Sequence, residues 1–253
     1  MKRLFTLLLI SFTALSFEMI DEKPDDFLGR DDSSVTTIAN NQIWYTSTDG
    51  KIVEPRSEWY NNYADAHTTF GVNIVSNTYV DGKGVIEFDG NVTTIGRSAF
   101  YGCDSLTSVT IPDSVTTIGY EAFAWCSSLT SVTIPDSVTT IGAAAFYVCS
   151  SLTNVTIPDS VTTIGGGAFQ NCSSLTSVNI PDSVTTIGKG AFAYCSSLTS
   201  VYCKPTTPPV GGSYMFGGNV SGRKIYVLME SVEAYKSSIH WSEYASDIVG
   251  YNF

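Results

Sequence analysis

From Ile111 the chain repeats itself every 23 residues. The unit reads Ile-Pro-Asp-Ser-Val-Thr-Thr-Ile-Gly-x-x-Ala-Phe-x-x-Cys-Ser-Ser-Leu-Thr-x-Val-x. It restarts at Ile134, Ile157 and Ile180, and 17 of the 23 positions are identical in all four copies. A looser copy begins at Phe88, so five copies fill residues 88–202, and a partial sixth opens at Cys203, where the apolar first position is due. A unit this short cannot bury an apolar side of its own. Stacked copies bury a continuous core between neighbours, and the result is a solenoid.

Within one copy, Leu129, Val132 and Ile134 place their side chains on the inner side of a short strand, because side chains alternate with period two. Pro135 lacks the N–H that would extend the ladder, and Pro135-Asp136-Ser137 suits a turn. Val138 to Ile141 reads as a second short extended piece, and Gly142 permits a sharp bend. Ala145-Phe146-x-x-Cys149 fits one helical turn, with Phe146 and Cys149 on one face.

The motif Leu-x-x-Val-x-Ile-Pro-x-Ser-Val-x-x-Ile-Gly-x-x-Ala-Phe-x-x-Cys resembles the leucine-rich repeat of the BspA-like bacterial surface proteins. The tail is similar too, in Lys224 to Val227, Ser231 to Lys236, Trp241 and Ile248 to Tyr251, although Leu228 stands where similar chains often carry proline. The resemblance implies a β-rich α/β solenoid: a right-handed leucine-rich-repeat superhelix of short parallel strands and short helical turns, capped at both ends.

The flanks divide accordingly. Residues 1–16 read as a signal peptide: Lys2 and Arg3 precede an apolar run from Leu4 to Phe17 that is too short for a typical membrane span, with Ala14-Leu15-Ser16 as a cleavage site and no cysteine to carry a lipid. Residues 17–40 form an acidic linker. Residues 41–87 read as an N-terminal β cap of two hairpins, one turning at Asp49-Gly50 between Ile43–Tyr45 and Lys51–Val53, the other at residues 81–84. Residues 203–253, rich in aromatics, read as the C-terminal cap. The expected localisation is export, to the medium or the cell surface, with no membrane-spanning segment in the mature chain.

A net charge of −11 argues against nucleic acid, whose binders need a basic stripe to displace counterions. With two histidines, His67 and His240, imidazole catalysis and histidine metal sites start from a poor position. No nucleophile elbow, phosphate loop or paired CxxC motif is present, and a regular solenoid repeats its surface instead of gathering one deep cleft. Neither catalysis nor a cofactor is expected. Cys103, Cys126, Cys149, Cys172 and Cys195 recur 23 apart. Their parallel Cβ vectors favour a ladder of buried thiols over disulfides or metal. Asp113, Asp136, Asp159 and Asp182 supply one carboxylate per copy, too few for calcium, and read as turn formers. The Asp-Ser-Val triplets look like O-glycosylation sites, with a plain turn as the reading preferred.

Two faces remain for a ligand. Outward strand positions make a ladder about 24 Å long, including Thr110, Thr133, Thr156, Asn179 and Tyr202. The positions that vary around Ala-Phe include Arg97, Tyr101, Tyr120, Glu121, Trp125, Tyr147, Gln170, Lys189 and Tyr194, and exposed Tyr, Trp and Arg are enriched at binding hot spots. The candidate ligand residues are thus Tyr101, Tyr120, Trp125, Tyr147 and the five ladder residues. The expected function is an exported recognition module for cell-surface adhesion, binding a protein or glycan of host matrix or neighbouring cells. The alternative is a structural or self-assembling envelope protein without a dedicated ligand.

Overall fold

The structure is a computed structural model and describes residues 38–55 and 69–253. The expected signal peptide and nearly all of the acidic linker lie outside these residues. The strands are β1 (Gln42–Ser47), β2 (Ile74–Val80), β3 (Lys83–Phe88), β4 (Thr94–Ile95), β5 (Leu106–Thr110), β6 (Thr117–Ile118), β7 (Ser131–Thr133), β8 (Thr140–Ile141), β9 (Thr163–Ile164), β10 (Ser177–Ile180), β11 (Thr186–Ile187), β12 (Ser200–Cys203), β13 (Val210–Gly211), β14 (Lys224–Leu228) and β15 (Ile248–Tyr251). A short helix, α1 (Val232–Ser237), follows β14.

The repeats coil as a parallel-strand solenoid. Each Thr-Thr-Ile contributes a two-residue strand to a six-stranded sheet ordered β13-β11-β9-β8-β6-β4, with like residues in register, as in Thr140 opposite Thr163. The longer strands form a second face in two parts. One part is ordered β2-β3-β1-β5-β7 and the other β10-β12-β14-β15. The row is interrupted at the third full copy, where only Thr156 bridges to Asn179 and the Thr153 N–H reaches the Thr130 carbonyl at a long 3.5 Å. The expected strand ladder is therefore in register from Thr110 to Thr133 and again from Thr156 through Asn179 to Tyr202, but not across Thr133 and Thr156.

A column of phenylalanines runs through the core. Phe100, Phe123, Phe146, Phe169, Phe192 and Phe216 stack with neighbouring centroids 5.1, 5.2, 5.2, 5.2 and 5.6 Å apart and planes within 11° of parallel. Phe70 meets one end of the column edge-on, and Trp241 and Tyr244 meet the other. Around it, Leu129, Val138, Ile141 and their repeats are buried.

The Ala-Phe segment departs from the helical turn expected of it. Ala144 and Val148 have φ of 53° and 58°, and the equivalent residues of the neighbouring copies are also left-handed. Two consecutive turns replace the helix, because a residue at positive φ ends a right-handed spiral. The freed amides reach across instead: Phe146 N–H donates to the Ala168 carbonyl at 2.7 Å and Val148 N–H to that of Gln170 at 2.9 Å. Gly142 is needed for a different reason than bending. Its φ is not positive, but a Cβ there would sit 2.6 Å from the Gly119 carbonyl carbon.

Before the repeats, only the second expected hairpin forms, as β2 and β3 around Asp81-Gly82. Lys51–Val53 makes no strand. The Tyr45 hydroxyl accepts from the Val53 N–H and the Asn77 amide donates to the Val53 carbonyl, so side chains satisfy the backbone that a ladder would have used. β1 pairs antiparallel with both β3 and β5. After the repeats, the sixth copy is one residue longer: Ile187 lies opposite Gly211 and Tyr202 opposite Tyr226, each 24 apart. The Tyr235 hydroxyl and Trp241 indole N–H donate to the Pro205 and Pro209 carbonyls of that longer turn.

Phe146→Ala is expected to lower stability by about 3–5 kcal/mol and to broaden or split the denaturant transition, since rungs stabilise only their neighbours. An unchanged midpoint would show that the ring is not part of the core. Gly142→Ala forces backbone apart and is expected to cost about 1–3 kcal/mol, read from the same unfolding curves. A gain in stability there would contradict the close approach.

Candidate ligand-binding surface

In each full copy the pair of residues before Ala-Phe and the pair after it lie outside the fixed apolar motif, although Ala124 and Ala193 of the second pair are buried. The second member of each pair sits at positive φ, including Glu121, Trp125, Asn171 and Tyr194. This conformation turns the side chains away from the phenylalanine column, so they vary without disturbing it.

Where small residues coincide in consecutive copies, the surface sinks. Ala143, Ala144, Gly166 and Gly167 floor an open trough of about 660 Å³. Tyr120 and Glu121 wall one end, Lys189 and Tyr214 the other, and Tyr147 and Gln170 lie along it. Tyr120 and Tyr214 are 43% and 44% exposed. A hydrogen bond with Glu121 and the carboxylate's charge raise the Tyr120 phenol above its ordinary pKa. The Tyr194 hydroxyl does the same for Tyr214. The Arg97 guanidinium lies 4.9 Å over the Tyr120 ring, a cation–π contact that orients that wall.

Of the nine candidate ligand residues, Tyr120 and Tyr147 line the trough, together with the varying Glu121, Gln170, Lys189 and Tyr194, and Trp125 stands edge-on to Tyr147 at 5.8 Å. Tyr101 is half-buried and does not line it. Thr110, Thr133, Thr156, Asn179 and Tyr202 lie on the strand face, so the nine do not form one site. Tyr214 was missed because the sixth copy has lost the motif and gained a residue; its signal is the 24-residue step from Gly190. On the strand face the tyrosine row also continues from Tyr202 to Tyr226.

The other candidates are accounted for by packing. The repeat cysteines are buried and unbridged. The Cys126, Cys149, Cys172 and Cys195 thiols donate to phenylalanine carbonyls of the preceding copy at 3.0–3.2 Å. Burial pushes Cys149 and Cys172 well above the usual thiol range and Cys195 and Cys203 up to about 12. The serines of the Asp-Ser-Val triplets are half-buried, and Ser114, Ser137 and Ser160 each donate to a valine carbonyl of the preceding copy at 2.6 Å. These hydroxyls are engaged in the turn. The four aspartates beside them are exposed, and among the described residues no three His, Cys, Asp or Glu side chains gather as a metal set.

The repeat model for the BspA-type leucine-rich repeat region matches residues 84–235 in six copies. The chain belongs to the BspA-type leucine-rich-repeat family. A leucine-rich-repeat protein of Treponema pallidum is 34% identical, with 56% of this chain and 69% of that one aligned and a TM-score of 0.45. A leucine-rich cell-surface protein of Faecalibacterium prausnitzii is 32% identical over 61% of this chain, which spans 46% of that one, with a TM-score of 0.43. The pneumococcal vaccine antigen PcpA aligns at 18% identity over 70% of this chain and 48% of its own, with a TM-score of 0.48. No curated protein matches. Among the described residues of this BspA-type chain, no helix is long and apolar enough to cross a membrane.

The thiol ladder sets a pH dependence. A thiol held neutral in the fold at about 12, against an ordinary 9.0, binds its proton more tightly when folded. Its stabilising effect is full below pH 9 and is lost as pH rises towards 12. Melting temperature is expected to fall across that window, less steeply in a variant with Cys149, Cys172 and Cys195 changed to alanine. Equal slopes would remove the thiols as the cause.

Proposed function

We propose that this chain is an exported recognition module that mediates adhesion, binding a protein or glycan of host matrix or of neighbouring cells through the trough. The observation that carries this reading is where variation falls. Seventeen of 23 positions are fixed, and four of the six that vary flank Ala-Phe, where Tyr120, Tyr147, Gln170 and Lys189 meet on one surface. A spacer has no reason to diversify one face. Exposed tyrosines beside a lysine and a glutamate offer ring faces, hydrogen bonds and charge in one depression. Family membership and the cell-surface description of the F. prausnitzii protein support a location outside the cell, which residues 1–16 would provide. The segments flanking the repeats serve as caps, with Phe70 and Trp241 against the ends of the phenylalanine column.

A second reading, end-to-end assembly, draws on the sheet edges. β2 and β15 are outermost in their sheets, and β2 exposes Val75 and Val80, an arrangement open to strand addition.

The test is a binding screen of the chain against arrayed matrix proteins and glycans. Gly166 is the position to block, because a Cβ there meets its nearest neighbour, the Lys189 carbonyl, at an ordinary 3.4 Å. Gly166→Trp is expected to abolish saturable binding with melting unchanged, and Tyr147→Ala to weaken it about tenfold or more. Binding that survives both variants excludes the trough. No binding together with concentration-dependent growth in solution scattering would favour assembly.

A further inference from the structure

The strand face changes character at its C-terminal end. Outward positions from Thr110 to Asn179 are small and polar, but Tyr202 is followed in register by Tyr226 on β14, and Tyr251 of β15, which lies opposite Leu228, reaches both rings. The Tyr202 and Tyr226 rings stack at 4.9 Å and 14°. Tyr251 stands at 67° and 63° to them, with centroids 5.7 and 5.4 Å away, and Phe253 extends the cluster at 5.1 Å. A stacked pair shows solvent mainly its ring edges. A third ring turned across them presents a π face in another direction, and Tyr251 and Phe253 are 41% and 48% exposed. These rings are not core: the core side of the same strands is filled by Val201, Cys203, Ile225 and Val227.

Charge on this patch runs against the chain as a whole. The outward residues of β10, β12, β14 and β15 include no carboxylate. Lys224 shares the outward row of Tyr226, and Lys204, exposed and two residues beyond Tyr202, keeps the alternation because its N–H still bonds the Ile180 carbonyl. Among the described residues neither lysine makes an ion pair. Asp247, which the register of β14 and β15 sets opposite Lys224, is held by Arg223. Two unpaired ammonium groups beside stacked phenols, on a protein of net charge −11, form a local cationic site with flat apolar surfaces.

We propose that this cluster binds an anionic polysaccharide. The C–H faces of its sugar rings pack on Tyr202, Tyr226 and Tyr251, and its carboxylates or sulfates pair with Lys204 and Lys224. The electron-rich ring face attracts the partly positive C–H bonds of a pyranose, and the lysines select charged over neutral chains. Asn179 and Ser200 supply hydrogen-bond partners at the margin. The site shares no residue with the trough, so either can fail without the other.

The experiment measures binding of the full chain to hyaluronan (carboxylate), dextran sulfate (sulfate), dextran (neutral) and polyglutamate (charge without sugar rings) at low and high salt. Expected are saturable, salt-sensitive binding to hyaluronan or dextran sulfate and none to dextran or polyglutamate, the preferred anion telling carboxylate from sulfate. Lys204→Gln with Lys224→Gln, both exposed or half-exposed and outside the core, is expected to weaken binding about tenfold or more with melting unchanged. Tyr226→Ala is expected to do the same, and Tyr226→Phe to retain binding. If Tyr226→Ala does not fold, Tyr251→Ala, at the sheet edge, takes its place. Absence of binding, equal binding to polyglutamate, or dependence on the lysines alone would overturn the proposal. Loss of binding in Gly166→Trp would assign the ligand to the trough instead.

Discussion

The stack of phenylalanines sets the terms for everything else in this solenoid. Each ring from Phe100 to Phe192 rests on the next at 5.1–5.6 Å, close to the spacing of about 4.8 Å that parallel strands impose. Ring stack and backbone ladders thus share one axial rise. A copy with a different core residue or length would break both at once. This explains why Ala, Phe and Cys never change among the four regular copies, and why Gly142 and its equivalents carry no Cβ between closely spaced backbones.

The same constraint decides where difference is tolerated. Variation is confined to residues whose side chains leave the column, and the positive φ of positions such as Trp125, Val148 and Tyr194 is the backbone device that turns them out. Left-handed geometry in a β-branched residue such as Val148 is costly, and it persists because inter-copy hydrogen bonds on both sides fix the turn. Freedom on the surface is thus a product of rigidity beneath it. The trough exists because two neighbouring copies carry glycine and alanine at the same outward positions while their neighbours carry Tyr120 and Lys189.

The fold was readable because the repeat states it many times over. Strand, Pro-Asp-Ser turn, second strand and buried Phe and Cys each follow from residue type and period. The helical turn failed because Ala-Phe-x-x-Cys has helical spacing, while left-handed residues between the anchors are invisible to a pattern of apolar positions. The first N-terminal hairpin failed because the side chains of Tyr45 and Asn77, in place of a facing strand, satisfy the Val53 backbone. Much of the trough was legible: Tyr120, Glu121, Tyr147, Gln170, Lys189 and Tyr194 stood out as varying positions around Ala-Phe. Tyr214, Tyr226 and Tyr251 did not, because the repeat had already lost its motif around them.

What the sequence determined by itself is the solenoid and its core, since a fixed 23-residue period makes each residue's neighbour in the next copy a matter of counting. Only the tertiary structure decided which outward residues meet. One extra residue between Cys203 and Val210 moves the step to 24, bringing Tyr226 against Tyr202 and Tyr214 against Gly190. Lateral neighbours are chosen by inter-strand hydrogen bonds and not by chain distance, so once the period slips, only the paired backbone shows which side chains face each other.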